Sequence, residues 1–100
     1  MQSTNQVRWG KPLEKTEFPS LEAMAGHLLE HLARHPLVSL SVRDLGRVLA
    51  RDYGLLVLPQ TMDKTARKVM DHLYDRDLVN RIEIHQPQFR IRWQIKGGAQ

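Results

Sequence analysis

Residues 61–96 decide the fold, and they read TMDKTARKVMDHLYDRDLVNRIEIHQPQFRIRWQIK. Over the first half of this stretch the apolar side chains recur at helical spacing, at Met62, Ala66, Val69, Met70 and Leu73. From residue 81 the period changes to two, because Ile82 and Ile84, and then Phe89, Ile91, Trp93 and Ile95, alternate with polar side chains. The stretch therefore predicts an amphipathic helix ending near Arg76, then a β-hairpin with one apolar and one polar face.

A first helix is predicted upstream, with Ser20 as its N-cap and Pro36 as its stop. Its apolar residues keep the helical period without a gap, at Leu21, Met24, Ala25, Leu28, Leu29, Leu32 and Ala33. The segment of residues 37–40 is short and mostly apolar, which suits a brief strand.

A second helix is predicted from the capping-box pattern of Ser41 and Asp44. Leu45, Val48 and Leu49 form its apolar face, and Gly54 is its expected C-cap. The connector that follows, residues 55–58, reads Leu-Leu-Val-Leu, and the third helix opens at Pro59 or Thr61.

One domain is expected, because the chain has 100 residues and ordinary globular composition, 41% hydrophobic and 26% charged. The predicted fold class is α+β, with an extended arm over residues 1–19, the folded domain over 20–96 and a frayed tail over 97–100. The absence of cysteine excludes disulfides, thiol catalysis and cysteine zinc sites. No apolar run suits a membrane span or a signal peptide, so we expect a cytoplasmic protein.

Residues 65–81, TARKVMDHLYDRDLVNR, resemble the recognition-helix segment of bacterial winged helix–turn–helix regulators. In that family the helix leads into the wing through Gly-Leu-Val-x-Arg. Asp77 stands at the glycine position here, and an aspartate tolerates the left-handed backbone better than most residues. The element order over residues 20–96 is also that of the superfamily. The resemblance implies a three-helix winged helix–turn–helix with a C-terminal β-hairpin wing, which binds double-stranded DNA most often and protein or RNA in a minority of relatives.

The distribution of charge agrees with a polyanionic partner, although a solvated surface is the plainer alternative. The formal net charge is +4, and all of it lies in residues 41–100. At 100° per residue, the polar side of the third helix is predicted to present a set of DNA-reading side chains, with two threonines at its edge: Gln60, Lys64, Arg67, Lys68, Thr61 and Thr65.

The second helix and the wing are predicted to contact the DNA backbone. Arg43, Arg47 and Arg51 follow i, i+4, i+8 spacing, so they form one stripe suited to phosphates. On the wing, the predicted contacts are outward arginines and tip residues: Arg81, His85, Gln86, Gln88, Arg90 and Arg92.

A competing pattern lies in the first helix, where residues 27–31 match the inverted zinc-protease string H-x-x-E-H. His27, His31 and His35 recur at i+4 and leave a metal site open as a possibility. We interpret them as a half-exposed stripe, because three small helices and a hairpin leave little room for a substrate cleft. No catalytic constellation or cofactor motif is visible, so no enzyme activity is expected.

Double-stranded DNA is therefore the predicted partner, and the sequence leaves open whether the chain also forms a homodimer. A homodimer would use the arm, with Trp9 and Phe18 as its large apolar side chains, or the first helix. The rival function is a protein-interaction winged helix that acts as an assembly subunit through residues 55–58 and the Trp9 arm. Salt dependence separates the two functions, because only DNA binding releases many counterions.

Overall fold

Three helices precede a two-stranded antiparallel hairpin in the structure, a computed structural model that describes residues 18–97. The elements are α1 (Leu21–Arg34), α2 (Val42–Tyr53), α3 (Pro59–Asp75), β1 (Val79–Ile84) and β2 (Arg90–Ile95). This α+β arrangement is the predicted one and is consistent with a winged helix that carries a C-terminal hairpin. Most of the predicted arm, residues 1–17, and the last three tail residues lie outside the described part of the chain.

The helix ends follow local rules that the sequence displays. The Ser20 hydroxyl accepts a hydrogen bond from the Ala23 N–H at 3.0 Å. The Ser41 hydroxyl accepts from the Asp44 N–H at 3.2 Å, and the Asp44 carboxylate accepts from the Ser41 N–H at 3.3 Å, which completes the predicted capping box. Gly54 ends α2 with φ 65°, and α3 begins at Pro59, the earlier of the two predicted positions.

The core fills the space between the three helices and the inner side of the hairpin. Its fully buried large side chains are Leu28, Leu32, Leu45, Leu49, Val69, Met70, Val79 and Trp93. Leu21 and Ala33 at the two ends of α1 are exposed, which corrects their assignment to the apolar face. Residues 37–40 contribute only one isolated bridge, in which the backbones of Leu40 and Trp93 exchange hydrogen bonds of 2.7 and 2.8 Å.

The turn from α3 into β1 is sharp, and Asp77 makes it possible. Asp77 has φ 63°, the left-handed conformation expected from its place in the glycine position. Its carboxylate accepts a hydrogen bond from the Lys96 ammonium group, so the side chain also ties the turn to the end of β2. Beyond the turn, Val79 is buried in the core, whereas Leu78 is 39% exposed.

The register of the hairpin corrects the prediction of one apolar and one polar face. Arg81 lies opposite Trp93, and Ile82 lies opposite Arg92. Because directly paired residues project from the same face of a sheet, Ile82 and Ile84 share a face with Arg90 and Arg92 rather than with Trp93. Each strand alternates as predicted, but both faces of the hairpin are mixed.

The exposure of Phe89 also differs from the prediction. Period-two alternation assigned it to the core beside Trp93, yet its side chain is 57% exposed, whereas Trp93 is 1% exposed. The strand begins only at Arg90, so Phe89 belongs to the loop between β1 and β2 and projects beyond the core.

Candidate nucleic-acid interface

The outward side of α3 carries the residues assigned to DNA reading. Because α3 buries Met62, Ala66, Val69, Met70 and Leu73, the opposite side of the helix faces solvent. Gln60, Lys64, Arg67 and Lys68 are exposed there. Thr61 and Thr65 are half-buried at the edge, and the Thr65 hydroxyl donates to the Thr61 carbonyl at 2.9 Å.

The arginine stripe of α2 is exposed as predicted, but its last member is engaged elsewhere. Arg43 and Arg47 have no acidic partner among residues 18–97. The Arg51 Nε donates to the Asp52 carboxylate at 2.8 Å, a bond that raises the pKa of Arg51. Two members of the stripe therefore keep their full charge for a ligand, and the third has it partly neutralised.

Asp52 joins Arg51 to α1. Its second carboxylate oxygen lies 2.7 Å from the His27 Nε2. The bond from Arg51, and then the bond from His27, lower the pKa of Asp52 to about 2. The rings of His27 and Tyr53 lie 5.2 Å apart, and the Tyr53 hydroxyl donates to the Ala23 carbonyl at 3.3 Å. This cluster fastens the end of α2 to α1.

The histidine stripe of α1 is distributed among structural contacts. His27 bonds to Asp52, and the rings of His31 and His35 lie 5.0 Å apart. Partial burial, then His35 and Arg51, lower the pKa of His31. Within residues 18–97, no three side chains of metal-ligating type come close enough together to hold an ion.

The wing arginines differ in their surroundings. Arg81 lies 3.6 Å from the Glu83 carboxylate. The Arg92 guanidinium is half-buried and donates to the Ser39 hydroxyl at 3.0 Å and to its carbonyl at 2.7 Å, so it anchors the wing to the loop after α1. Arg90 is exposed and has no acidic partner in the described chain. The predicted tip residues His85, Gln86 and Gln88 are exposed as well.

The basic side chains without acidic partners are concentrated on one group of elements. Outside α2, α3 and β2, each Lys and Arg of residues 18–97 has an acidic partner: Arg34 pairs with Glu30, Arg76 lies 3.9 Å from Glu22, Arg81 pairs with Glu83, and Lys96 binds Asp77. Over residues 18–97, the lysines and arginines that form no ion pair are Arg43, Arg47, Lys64, Arg67, Lys68, Arg90 and Arg92. All of them lie on α2, α3 or β2.

A cleft of about 200 Å³ separates α3 from the wing. Its sides carry the exposed Arg67 of α3 and Arg90 of the wing, and the rest of its lining is apolar: Val42, Phe89, Ile91 and Trp93. Sequence reasoning missed Phe89 as a site residue because alternation alone predicted burial. Its position directly after Gln-Pro-Gln, before the strand begins, was the available signal.

A larger cleft, of about 810 Å³, lies on the other side of α3 against the beginning of α1. Phe18, Met24 and Val69 contribute apolar surface, and Asp71 and Asp75 bring two carboxylates to its lining. Lys68, Thr61 and Thr65 of the predicted reading side also line this larger cleft, beside the two carboxylates, which repel a polyanion. The smaller cleft has two arginines and no carboxylate in its lining, so it is the better match to nucleic acid.

Comparison of the chain with protein family models, curated proteins and solved structures finds no match. No helix within residues 18–97 has both the length and the apolar character needed to cross a bilayer.

Proposed function

We propose that this protein binds double-stranded DNA through α3, with α2 and the wing on the flanking backbone. The observation that carries the proposal comes from residues 18–97: the exposed Lys and Arg side chains without acidic partners lie on α2, α3 and β2, whereas Arg34 of α1 and Lys96 after β2 are paired. A paired cation gains little from a phosphate, because it must first give up its carboxylate. The unpaired set is therefore the part of the surface best suited to a polyanion.

The role of each element follows from its exposure. A winged helix–turn–helix inserts the first half of its recognition helix into the major groove. Gln60 and Lys64 lie in that half of α3, where an amide suits adenine and an ammonium group suits guanine. Arg43 and Arg47 would bind phosphates on one side, and Arg90 would bind them on the other.

The biological role that fits this proposal is that of a small transcriptional regulator or a phage- or plasmid-type DNA-binding protein in the cytoplasm. A symmetric DNA site would call for a homodimer, formed through the arm or α1. Trp9, the apolar anchor of the predicted arm, lies outside the described residues.

The test is a salt titration of binding to a labelled duplex of mixed sequence, comparing Arg47→Ala with Arg34→Ala. Both changes remove one exposed helical cation, but Arg34 already pairs with Glu30 at 3.2 Å. We expect Arg47→Ala to weaken binding and to lower the slope of log affinity against log salt by about one unit. Arg34→Ala should leave that slope unchanged. Equal effects of the two substitutions, or no salt dependence in the unsubstituted protein, would refute the proposal.

The connector between α2 and α3 supports a second candidate function, docking of a partner protein. Leu56 is 67% exposed and Leu58 is 54% exposed, whereas Leu55 and Val57 pack against the core. Two neighbouring exposed leucines are suited to an apolar interface. Such binding would persist at high salt and would be lost when both leucines are replaced by serine, with no change in DNA affinity.

A further inference from the structure

Phe89 is poorly explained by contact with an intact duplex. It projects from the wing loop into the cleft that α3 and the wing share, with 57% of its side chain exposed. The bases of a stacked duplex show only their edges in the grooves, where an aromatic ring can contact little more than a thymine methyl group, whereas an unstacked base offers it a whole face. An exposed aromatic ring between cations is instead typical of surfaces on which an unstacked base is placed.

The lining of the cleft supplies the other groups that such a base needs. Arg67 and Arg90 lie on its two sides, and neither has an acidic partner among residues 18–97, so both are available to the sugar–phosphate backbone around the base. Trp93 also lines the cleft, and because it is only 1% exposed it contributes a small apolar patch rather than a polar contact.

We propose that the cleft between α3 and the wing holds one unstacked nucleobase of the bound DNA, which stacks on Phe89 while Arg67 and Arg90 bind the adjoining backbone. This inference rests on the proposed DNA-binding function and narrows its substrate to duplex DNA that contains an unpaired or readily unpaired nucleotide. Extruding a base costs least where it is already unpaired. The protein is therefore expected to prefer such sites over a fully paired duplex.

The experiment compares two fluorescein-labelled duplexes of the same mixed sequence, one fully paired and one with a single unpaired adenine, by fluorescence anisotropy. The unsubstituted protein should bind the bulged duplex about fivefold more tightly or better, the ratio that one stacked base supplies. Phe89→Ala should abolish this preference, whereas Phe89→Trp should retain it. Leu37→Ala is the matched control, because Leu37 is a large apolar side chain, 77% exposed, that does not line the cleft.

The outcomes separate the inference from the function on which it rests. Equal affinity of the unsubstituted protein for the two duplexes overturns the inference and leaves DNA binding intact. A preference that survives Phe89→Ala, or that Leu37→Ala removes equally, also overturns it. Absence of salt-dependent binding to either duplex refutes the proposed function itself.

Discussion

Among the glycines of residues 18–97, Gly46 is the one whose backbone lies closest to a neighbouring helix, because α2 packs against α3 there. A Cβ built at Gly46 lies 3.1 Å from the Met62 carbonyl oxygen, 3.2 Å from its carbonyl carbon and 3.3 Å from its Cβ. These atoms belong to the backbone and root of a buried residue, so relief of the contact requires the α3 backbone to shift by a few tenths of an ångström. Gly26 in α1 is the matched control, because a Cβ there has no neighbour within 4 Å.

The free-energy change follows from two opposing terms. Alanine gains up to ~1 kcal/mol over glycine inside a helix, and both substitutions share this gain. Overpacking costs ~1–3 kcal/mol, and only Gly46→Ala incurs it. We therefore expect Gly26→Ala to raise the free energy of unfolding and Gly46→Ala to lower it, with a difference of ~1–3 kcal/mol between the variants.

Urea unfolding followed by circular dichroism measures this difference, since the transition midpoint moves with stability at constant slope. We also expect the folded Gly46→Ala protein to bind DNA more weakly than the unsubstituted protein, because the substitution shifts α3. If Gly46→Ala stabilises the chain as much as Gly26→Ala, the contact with Met62 relaxes at no cost, and the close packing of α2 against α3 does not limit the side chain at position 46.

Three further predictions concern the reading helix, the α1–α2 contact and the arm. Lys64→Ala should cost ~1–3 kcal/mol on the preferred DNA site and much less on random duplex, by competition binding, if Lys64 contacts guanine; an equal loss on both makes it a phosphate contact. Asp52 has its pKa lowered from 3.8 to about 2, so its stabilising contribution should be present above pH 3.8 and disappear as the pH falls towards 2. The urea midpoints of the unsubstituted protein and Asp52→Asn should therefore differ at neutral pH and converge in acid, and a constant difference would contradict the assigned contact. Deleting residues 1–17 should convert a dimer into a monomer in light scattering if the arm joins two chains, and an unchanged mass would exclude the arm as the contact.

Much of the fold was predictable because its determinants are local. Ser41 and Asp44 cap α2 through bonds that span only three residues, and Gly54 and Asp77 adopt left-handed backbone where the pattern requires it. The outward positions of Lys64 and Arg67 on α3 follow from helical period alone. These features depend on neighbours within one or two turns, which are visible in a single sequence.

The sequence predicted which residues form the candidate site, but it did not predict the hydrogen bonds that two of them make. The sequence assigned Arg51 and Arg92 to DNA on the basis of spacing. Arg51 bonds to its sequence neighbour Asp52, and the fold places Ser39 beside Arg92, so both guanidinium groups form internal bonds. Ser39 and Arg92 are 53 residues apart, and the bond that holds the Asp52 carboxylate against His27 joins residues 25 apart, so no local pattern announces either contact.

Local patterns predicted the positions of the helices and strands, the buried side of each helix and the segments with positive charge, because periodicity and capping act over a few residues. The pairing of β1 with β2 was not predictable in this way. A period-two pattern defines two faces for each strand but does not say which faces coincide, and a shift of one residue in register exchanges them. The observed register places Ile82 opposite Arg92 and Arg81 opposite Trp93. Because the pairing ends at Ile84 and Arg90, Phe89 lies in the loop between the strands, outside the core and in the cleft beside Arg67.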